Sequence, residues 1–136
     1  MSRGAEMVRG YHDLKVWQKS IMLAEEVGKQ ICKLPKKEQF ELVSQMRRAA
    51  TSISSNIAEG YGRNSTMDYI NFLSIARGSN LELQSQLHLC VYHNYLTERD
   101  IQPSINLSIS VHKMLSTMIA SLKIKVETQK RSKSVK

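Results

Sequence analysis

Apolar residues recur with helical spacing in four separate segments of the chain. The first segment would place six of them on one face of a helix that begins after a capping Asp13 and ends before Pro35. These six are Leu14, Trp17, Ile21, Ala24, Ile31 and Leu34. The second segment, from about residue 37 to residue 61, has an equivalent face and ends at Gly60 and Gly62. Its apolar residues are Phe40, Val43, Met46, Ala50, Ile53 and Ile57.

The third and fourth segments carry start signals as well as apolar faces. Ser65 or Thr66 can cap the third, which fades at His93 and Asn94. Its face comprises Tyr69, Phe72, Leu73, Ala76, Leu83, Leu87, Cys90 and Val91. The fourth begins between Thr97, which forms a capping pair with Asp100, and Pro103, which a helix tolerates in its first turn. Its face continues through Ile105, Val111, Leu115, Met118, Ile119, Leu122 and Val126.

Short connections near 34–37, 60–65 and 94–100 predict an all-α, antiparallel, up-down-up-down four-helix bundle over residues 13–126. An N-terminal arm, 1–12, would precede it, and a basic tail, 127–136, would follow it and fray because it has few apolar groups. Two prolines and six glycines are too few for a β-sandwich of this length. With no apolar run near the ~20 residues of a membrane span and no signal-peptide core, we expect a cytoplasmic protein that uses no membrane.

The third predicted helix has a second stripe, opposite its core face, that combines apolar and small residues. Its members are Ile70, Ser74, Gly78, Leu81, Ser85, Leu89 and Tyr92. A helix that is apolar on two sides needs cover on both, and a four-helix monomer has nothing left to cover the second. The stripe therefore predicts a homo-oligomer. The alternative is a set of scattered exposed apolar groups, which protein surfaces tolerate.

Positive charge is concentrated at the C-terminal end of the chain. The net charge is +8, and residues 123–136 hold six of the twenty Lys and Arg residues against one acid, Glu127. Basic side chains attract the phosphates of nucleic acids. The candidate contacts in the tail are Lys123, Lys125, Lys130, Arg131, Lys133 and Lys136, and those in the body are Arg47, Arg48, Arg63 and Arg77.

The sequence shows no arrangement typical of catalysis or of cofactor binding. The four histidines and two cysteines have no metal-ligand spacing, and no paired nucleophile and base is visible. We therefore predict no catalytic residues, no metal site and no cofactor. Cys32 and Cys90 are far apart, as reduced thiols of a cytoplasmic protein would be.

Four motifs, at residues 13–18, 45–50, 52–62 and 72–79, occur together in order. In these stretches the chain resembles bacterial four-helix-bundle proteins encoded in intervening sequences of 23S rRNA genes. The resemblance implies a ring-like homopentamer. A more distant relative is the accessory protein of diversity-generating retroelements, a basic pentamer that binds nucleic acid and a reverse transcriptase.

Charge, fold and resemblance together predict a non-catalytic scaffold that binds nucleic acid, in particular structured RNA. The resemblance adds the role of an accessory factor to a reverse transcriptase or to an rRNA-linked element. Aromatic residues do not interleave with the basic tail, so phosphate recognition is favoured over base stacking. The alternative is a protein–protein adaptor whose helical surface binds a partner enzyme without binding nucleic acid.

Overall fold

Four α-helices form the protein, and residues 8–134, the part described by this computed structural model, contain no strand. The helices are α1, Lys15–Ile31; α2, Leu42–Tyr61; α3, Thr66–Tyr92; and α4, Glu98–Ser134. Single 3-10 turns at Tyr11–Asp13 and Lys36–Glu38 precede α1 and α2. The predicted all-α class and the number of helices are confirmed.

The core lies between four helices that each pack against two others. α1 packs against α2 and α4, and α3 packs against the same two helices. The largest fully buried side chains come from every helix: Leu23, Val27, Met46, Ile53, Ile57, Leu73, Asn80, Leu83, Leu87, Ile101, Val111 and Leu115. All of these side chains except Asn80 are apolar, and burying their surface is the main stabilising contribution to the fold.

The buried face of α1 is rotated relative to the prediction. Val16, Leu23 and Val27 are buried, whereas four predicted residues, Leu14, Trp17, Ile21 and Ala24, are only half-buried. The predicted Ile31 and Leu34, at the end of this segment, are buried. The buried face also includes two polar residues, Ser20 and Gln30. Because these polar residues interrupt the buried face, the apolar pattern alone predicted the adjacent face of the helix.

Two predicted starting points are wrong. Asp13 does not cap α1; its carboxylate accepts the backbone N–H of Arg9 at 3.0 Å, and Leu14 occupies the cap position with no side-chain hydrogen bond. α2 begins at Leu42, after the 3-10 turn that follows Pro35, so Phe40 lies outside the helix and is 91% exposed. The remaining predicted core residues of α2 are buried.

The predicted starts of α3 and α4 are confirmed by hydrogen bonds. Ser65 Oγ accepts the backbone N–H of Asp68 at 3.2 Å. Thr97 and Asp100 cap each other's backbone N–H groups, at 2.9 and 3.1 Å. Pro103 lies inside α4, beyond the first turn to which the prediction confined it.

α4 continues through the segment predicted to fray. Residues 127–134 are helical, since Glu, Gln, Lys and Arg are good helix formers even without a packed face. Lys136 and residues 1–7 of the predicted arm lie outside the described residues. Within residues 8–134, every helix is too short or too polar to cross a lipid bilayer.

Candidate nucleic-acid interface

Arg47 and Arg48 are consecutive residues of α2, and both side chains are exposed. Among residues 8–134, no ion pair engages either guanidinium. Glu59, later on the same helix, pairs with Arg63 and not with Arg48. Both arginines are therefore available to contact phosphates.

Arg63 is held in place at the end of α2. Its Nη2 lies 2.7 Å from Glu59 Oε1, and its guanidinium carbon lies 4.8 Å from the centre of the Phe72 ring. The second contact is a cation–π interaction. Arg63 thus has a structural role at the α2–α3 turn, and its exposed surface can still face an anion.

Arg77 connects α3 to α4. Its Nη1 donates to Ser116 Oγ at 3.3 Å, and the residue is half-buried. Ile70 lies two turns before Arg77 and therefore on the same side of α3, the side that faces α4. Ile70 is 5% exposed and belongs to the core, so its assignment to the outward stripe is wrong.

The C-terminal part of α4, residues 123–134, is a helical segment that we term the basic extension. Its described candidate residues, Lys123, Lys125, Lys130, Arg131 and Lys133, all have exposed side chains. With 37 residues, α4 is ~55 Å long, whereas the 17 residues of α1 span only ~25 Å. The basic extension therefore presents its charges on a regular helix.

The outward side of α3 carries an apolar surface that we term the outer stripe, residues Met67, Ser74, Gly78, Leu81, Ser85, Leu89 and Tyr92. Leu81, Leu89 and Tyr92 are 47%, 42% and 85% exposed. Gly78 and Ser85 are exposed, and Ser74 is half-buried. The sequence interpretation missed Met67, although it lies seven residues before Ser74 and so shares its side of the helix.

Shifted pKa values mark packing and capping positions of the fold. Burial raises the pKa of the Cys90 thiol to about 11. The Glu38 carboxylate, which accepts the Tyr95 hydroxyl at 2.7 Å, raises the pKa of Tyr95. The backbone N–H of Thr97 and then Lys33 lower the pKa of Asp100. The Cys90 shift follows from burial, and the other two follow from hydrogen bonds that secure a loop and a helix start.

These features define a small all-α protein whose helices expose two kinds of surface, one basic and one apolar. The model of the 23S rRNA-intervening sequence protein family matches residues 12–117, and the chain belongs to that family. This confirms the resemblance drawn from the four motifs. The match ends before the basic extension, so the extension lies outside the shared region.

A solved structure supports the same assignment of fold. It is a protein of unknown function from the S23 ribosomal protein family of Bacteroides thetaiotaomicron, 30% identical to this chain. The similarity covers 76% of this chain and 97% of that one, with a TM-score of 0.71. No curated protein matches the chain.

Proposed function

We propose that the protein is a non-catalytic scaffold that binds structured RNA through phosphate contacts. The observation that carries this proposal is the basic extension, where five exposed basic side chains accompany one acid, Glu127. Membership in a family named for 23S rRNA intervening sequences supports RNA as the nucleic acid. As a resident of the cytoplasm the protein would meet such RNA directly.

The form of the basic extension favours the phosphate backbone as its target. Lys123 and Lys133 are separated by ~15 Å along a helix, a span that covers several phosphates. Residues 123–134 contain no aromatic side chain on which a base could stack. Recognition by shape and charge therefore fits this surface better than recognition of unpaired bases.

Contacts between helices support an alternating, antiparallel arrangement. Ser52 Oγ meets Ser79 Oγ at 2.8 Å, while Met46, earlier on α2, meets Cys90, later on α3. Likewise, Asn80 bonds to Ser108, whereas the earlier Arg77 bonds to the later Ser116. In this arrangement the start of α3 and the end of α4 lie at the same end of the bundle.

This arrangement divides the candidate arginines into two groups. Arg63, at the turn before α3, lies at the end of the bundle that carries the basic extension. Arg47 and Arg48 lie ~22 Å away along α2. We assign Arg63 and the basic extension to one RNA contact, and Arg47 and Arg48 to a separate, weaker one.

The outer stripe supports a homo-oligomeric scaffold, and the family resemblance favours a ring-like homopentamer. Several basic extensions on one assembly would engage one RNA together, which raises affinity through effective concentration. In this form the protein would serve as an accessory to a reverse transcriptase or to an rRNA-linked element.

The outer stripe also supports a second candidate function, a protein–protein adaptor. Tyr92, 85% exposed, and the neighbouring Leu89 could anchor a partner enzyme, since exposed aromatic groups often do so at interfaces. An adaptor contact of this kind is apolar and responds weakly to salt. An RNA contact responds steeply.

The test neutralises charge in two places and compares the effects. One variant carries Lys125→Gln, Lys130→Gln and Lys133→Gln, and its matched control carries Lys36→Gln, Lys37→Gln and Arg99→Gln, all exposed. At about 50 mM salt we expect a loss of about tenfold or more in affinity for a folded RNA in the first variant and a much smaller loss in the control. Equal losses would refute the assignment to the basic extension, and no binding by the unmodified protein would favour the adaptor.

A further inference from the structure

Aromatic and basic side chains come together where α3 ends and α2 begins. They lie on two connecting segments, residues 32–41 between α1 and α2 and residues 93–97 between α3 and α4. The Tyr95 hydroxyl donates to Glu38 Oε2 at 2.7 Å and so joins the two segments. In the antiparallel arrangement this end lies ~40 Å from the end that carries the basic extension, because α3 has 27 residues.

His93 and Tyr95 form a stacked pair of rings at this end. Their centroids are 5.4 Å apart and their planes are inclined by 27°. Asn94, between them, has a φ of 63°, a left-handed conformation that asparagine tolerates better than most residues. The Tyr95 N–H donates to the Cys90 carbonyl at 2.9 Å, which fixes the loop to the end of α3. Tyr95 is half-buried and His93 is exposed, so the His93 ring is held in place with one face open to solvent.

Phe40 adds a second exposed ring on the neighbouring segment. Its side chain is 91% exposed and lies outside α2, so the core does not use it. It follows Glu38 by two residues, which is at most about 7 Å of backbone. A single exposed apolar side chain is common on protein surfaces. Phe40 differs because it lies close to the stacked pair and to several cations.

The same end of the bundle offers cations for phosphate groups. Three basic side chains are exposed there, and no ion pair engages them among residues 8–134: Lys36, Lys37 and Arg99. Two nearby acids, Glu38 and Asp100, already accept hydrogen bonds within the chain. Two others, Glu41 and Glu98, are exposed, so the local net charge is small. A polyanion bound here would therefore depend on the rings as well as on charge.

Rings and cations in this combination match the chemistry of unpaired nucleotides. Proteins recognise single-stranded RNA by stacking its bases on aromatic or histidine rings while basic groups contact the phosphates. The basic extension has cations without aromatic side chains, so it lacks half of this chemistry. The opposite end of the bundle has both.

We propose that this end of the bundle binds unpaired nucleotides of an RNA, with bases stacked on Phe40 and His93. We term it the aromatic platform; it consists of Lys36, Lys37, Phe40, His93, Tyr95 and Arg99. The proposal rests on the proposed function, because it takes RNA as the ligand, and it adds an unpaired strand or loop as a second element of that RNA. A protein partner could also contact the rings, but three unpaired cations beside them favour a polyanion.

Two pairs of substitutions and two RNA probes test the platform. The platform variant carries Phe40→Ser and His93→Ser. Its matched control carries Met22→Ser and His88→Ser, which remove an exposed apolar side chain and an exposed histidine elsewhere. The probes are an oligouridine of about eight nucleotides, which has no stable structure, and a blunt RNA duplex. Fluorescence anisotropy measures affinity, light scattering measures mass and circular dichroism reports helix content.

The platform predicts opposite effects on the two probes. The platform variant should lose about fivefold or more in affinity for oligouridine and bind the duplex as the unmodified protein does. The control should bind both probes normally. The variant with three lysines of the basic extension replaced should show the reverse pattern, with the larger loss for the duplex. Neutralising Lys36, Lys37 and Arg99, which contribute little to binding of paired RNA, should weaken oligouridine binding several-fold.

Phe40→Trp provides a direct signature of stacking. It retains a ring, so it should bind oligouridine at least as tightly as the unmodified protein. Its added fluorescence should be quenched when oligouridine binds, because a stacked base quenches an indole ring. Trp17, the one natural tryptophan, lies at the start of α1, far from the platform, and should not respond.

Each alternative gives a different result. Unchanged oligouridine affinity in the platform variant would overturn the proposal, and so would a fall in its mass, which would show that the rings contact another copy. If the unmodified protein binds the duplex but not oligouridine, the platform is wrong, the rings are left for a protein contact, and the proposed function stands. Binding of oligouridine alone would uphold the platform and refute the assignment to the basic extension, and binding of neither probe would refute both. If His93→Ser lowers the helical signal, Phe40→Ser alone replaces the pair with the same expected direction.

Discussion

Asn80 and Ser108 form a reciprocal pair of hydrogen bonds in the core between α3 and α4. Asn80 Nδ2 donates to the Ser108 carbonyl at 2.8 Å, and Ser108 Oγ donates to Asn80 Oδ1 at 2.7 Å. Both residues are fully buried. The pair satisfies polar groups that would otherwise be buried without partners, and it fixes the register of the two helices.

Replacing one member of this pair should destabilise the fold. We expect Asn80→Ala to lower the free energy of unfolding by about 1–3 kcal/mol, because Ser108 Oγ loses its partner in the core. Urea unfolding of Asn80→Ala, Ser108→Ala and the double variant measures the coupling between them. Purely additive losses would show that the two side chains act independently.

Two glycines should respond to alanine in opposite directions. A Cβ at Gly60 would lie 2.8 Å from Phe72 Cβ and 3.0 Å from Tyr69 Cδ1, so Gly60→Ala should force α2 and α3 apart and destabilise the protein by about 1–3 kcal/mol. Gly28 has nothing within 4 Å of such an atom, so Gly28→Ala should stabilise α1 by about 0.5–1 kcal/mol. Thermal unfolding of both variants checks the signs, and a stabilising Gly60→Ala would contradict this packing.

The two thiols should differ in reactivity. Cys32 is exposed, whereas Cys90 is buried with its Sγ 3.7 Å from Met46 Sδ. At a pH of about 8 we expect iodoacetamide to alkylate Cys32 rapidly and Cys90 only after unfolding. The reagent reacts with the thiolate, and burial both shields Cys90 and disfavours its thiolate. Mass spectrometry of the intact protein follows both sites, and Cys32→Ser should remove the fast phase. Equal rates at the two sites would contradict the burial of Cys90.

Alkaline pH should weaken the fold through the same buried thiol. Burial raises the folded-state pKa of Cys90 from its ordinary 9.0 to about 11, so the folded state disfavours the thiolate. The corresponding stability is fully present below a pH of about 9 and is lost as the pH rises toward 11. Urea unfolding of the unmodified protein and of Cys90→Ala across this range should show a smaller pH dependence in the variant. The same pH dependence of stability in both proteins would show that groups other than Cys90 cause the loss.

The candidate arginines should separate into structural and ligand-binding residues. Arg47→Gln with Arg48→Gln should change stability by less than about 0.5 kcal/mol, since neither has an ion pair among residues 8–134, and should weaken RNA binding. Arg63→Gln removes an exposed ion pair and a cation–π contact and should lower stability by up to about 1 kcal/mol. Unfolding and RNA-binding measurements on the same preparations distinguish the two effects. If the first variant binds RNA as tightly as the unmodified protein, Arg47 and Arg48 are not part of the RNA interface.

Much of the fold could be predicted because most helix faces are continuous and the starts of two helices carry specific capping residues. The apolar face of α3 and the Thr97–Asp100 pair are examples. The phase of α1 could not be predicted, since Ser20 and Gln30 are buried within its core face. Phe40 was misplaced because hydrophobic spacing gives no information about the 3-10 turn that delays α2.

The candidate interface was predictable in composition but not in organisation. Charge counting located the C-terminal cluster, yet it gave no indication that residues 127–134 continue α4 as a helix. It also treated four arginines as equivalent, whereas Arg63 and Arg77 have partners in the chain. The apolar groove between the start of α1 and the middle of α4 was not foreseen, because its lining residues, such as Val16 and Met114, are nearly 100 residues apart in sequence.

The salt dependence of RNA binding tests the central claim most directly. The affinity of the unmodified protein for a folded RNA is measured between about 50 and 200 mM salt, where each phosphate contact contributes roughly 0.7–0.9 to the slope of log affinity against log salt concentration. We predict a slope of about −3 or steeper, as four or more contacts from the basic extension and Arg63 would produce. An affinity that does not change with salt, or no binding at the lowest salt concentration, would contradict the claim that this protein is an RNA-binding scaffold.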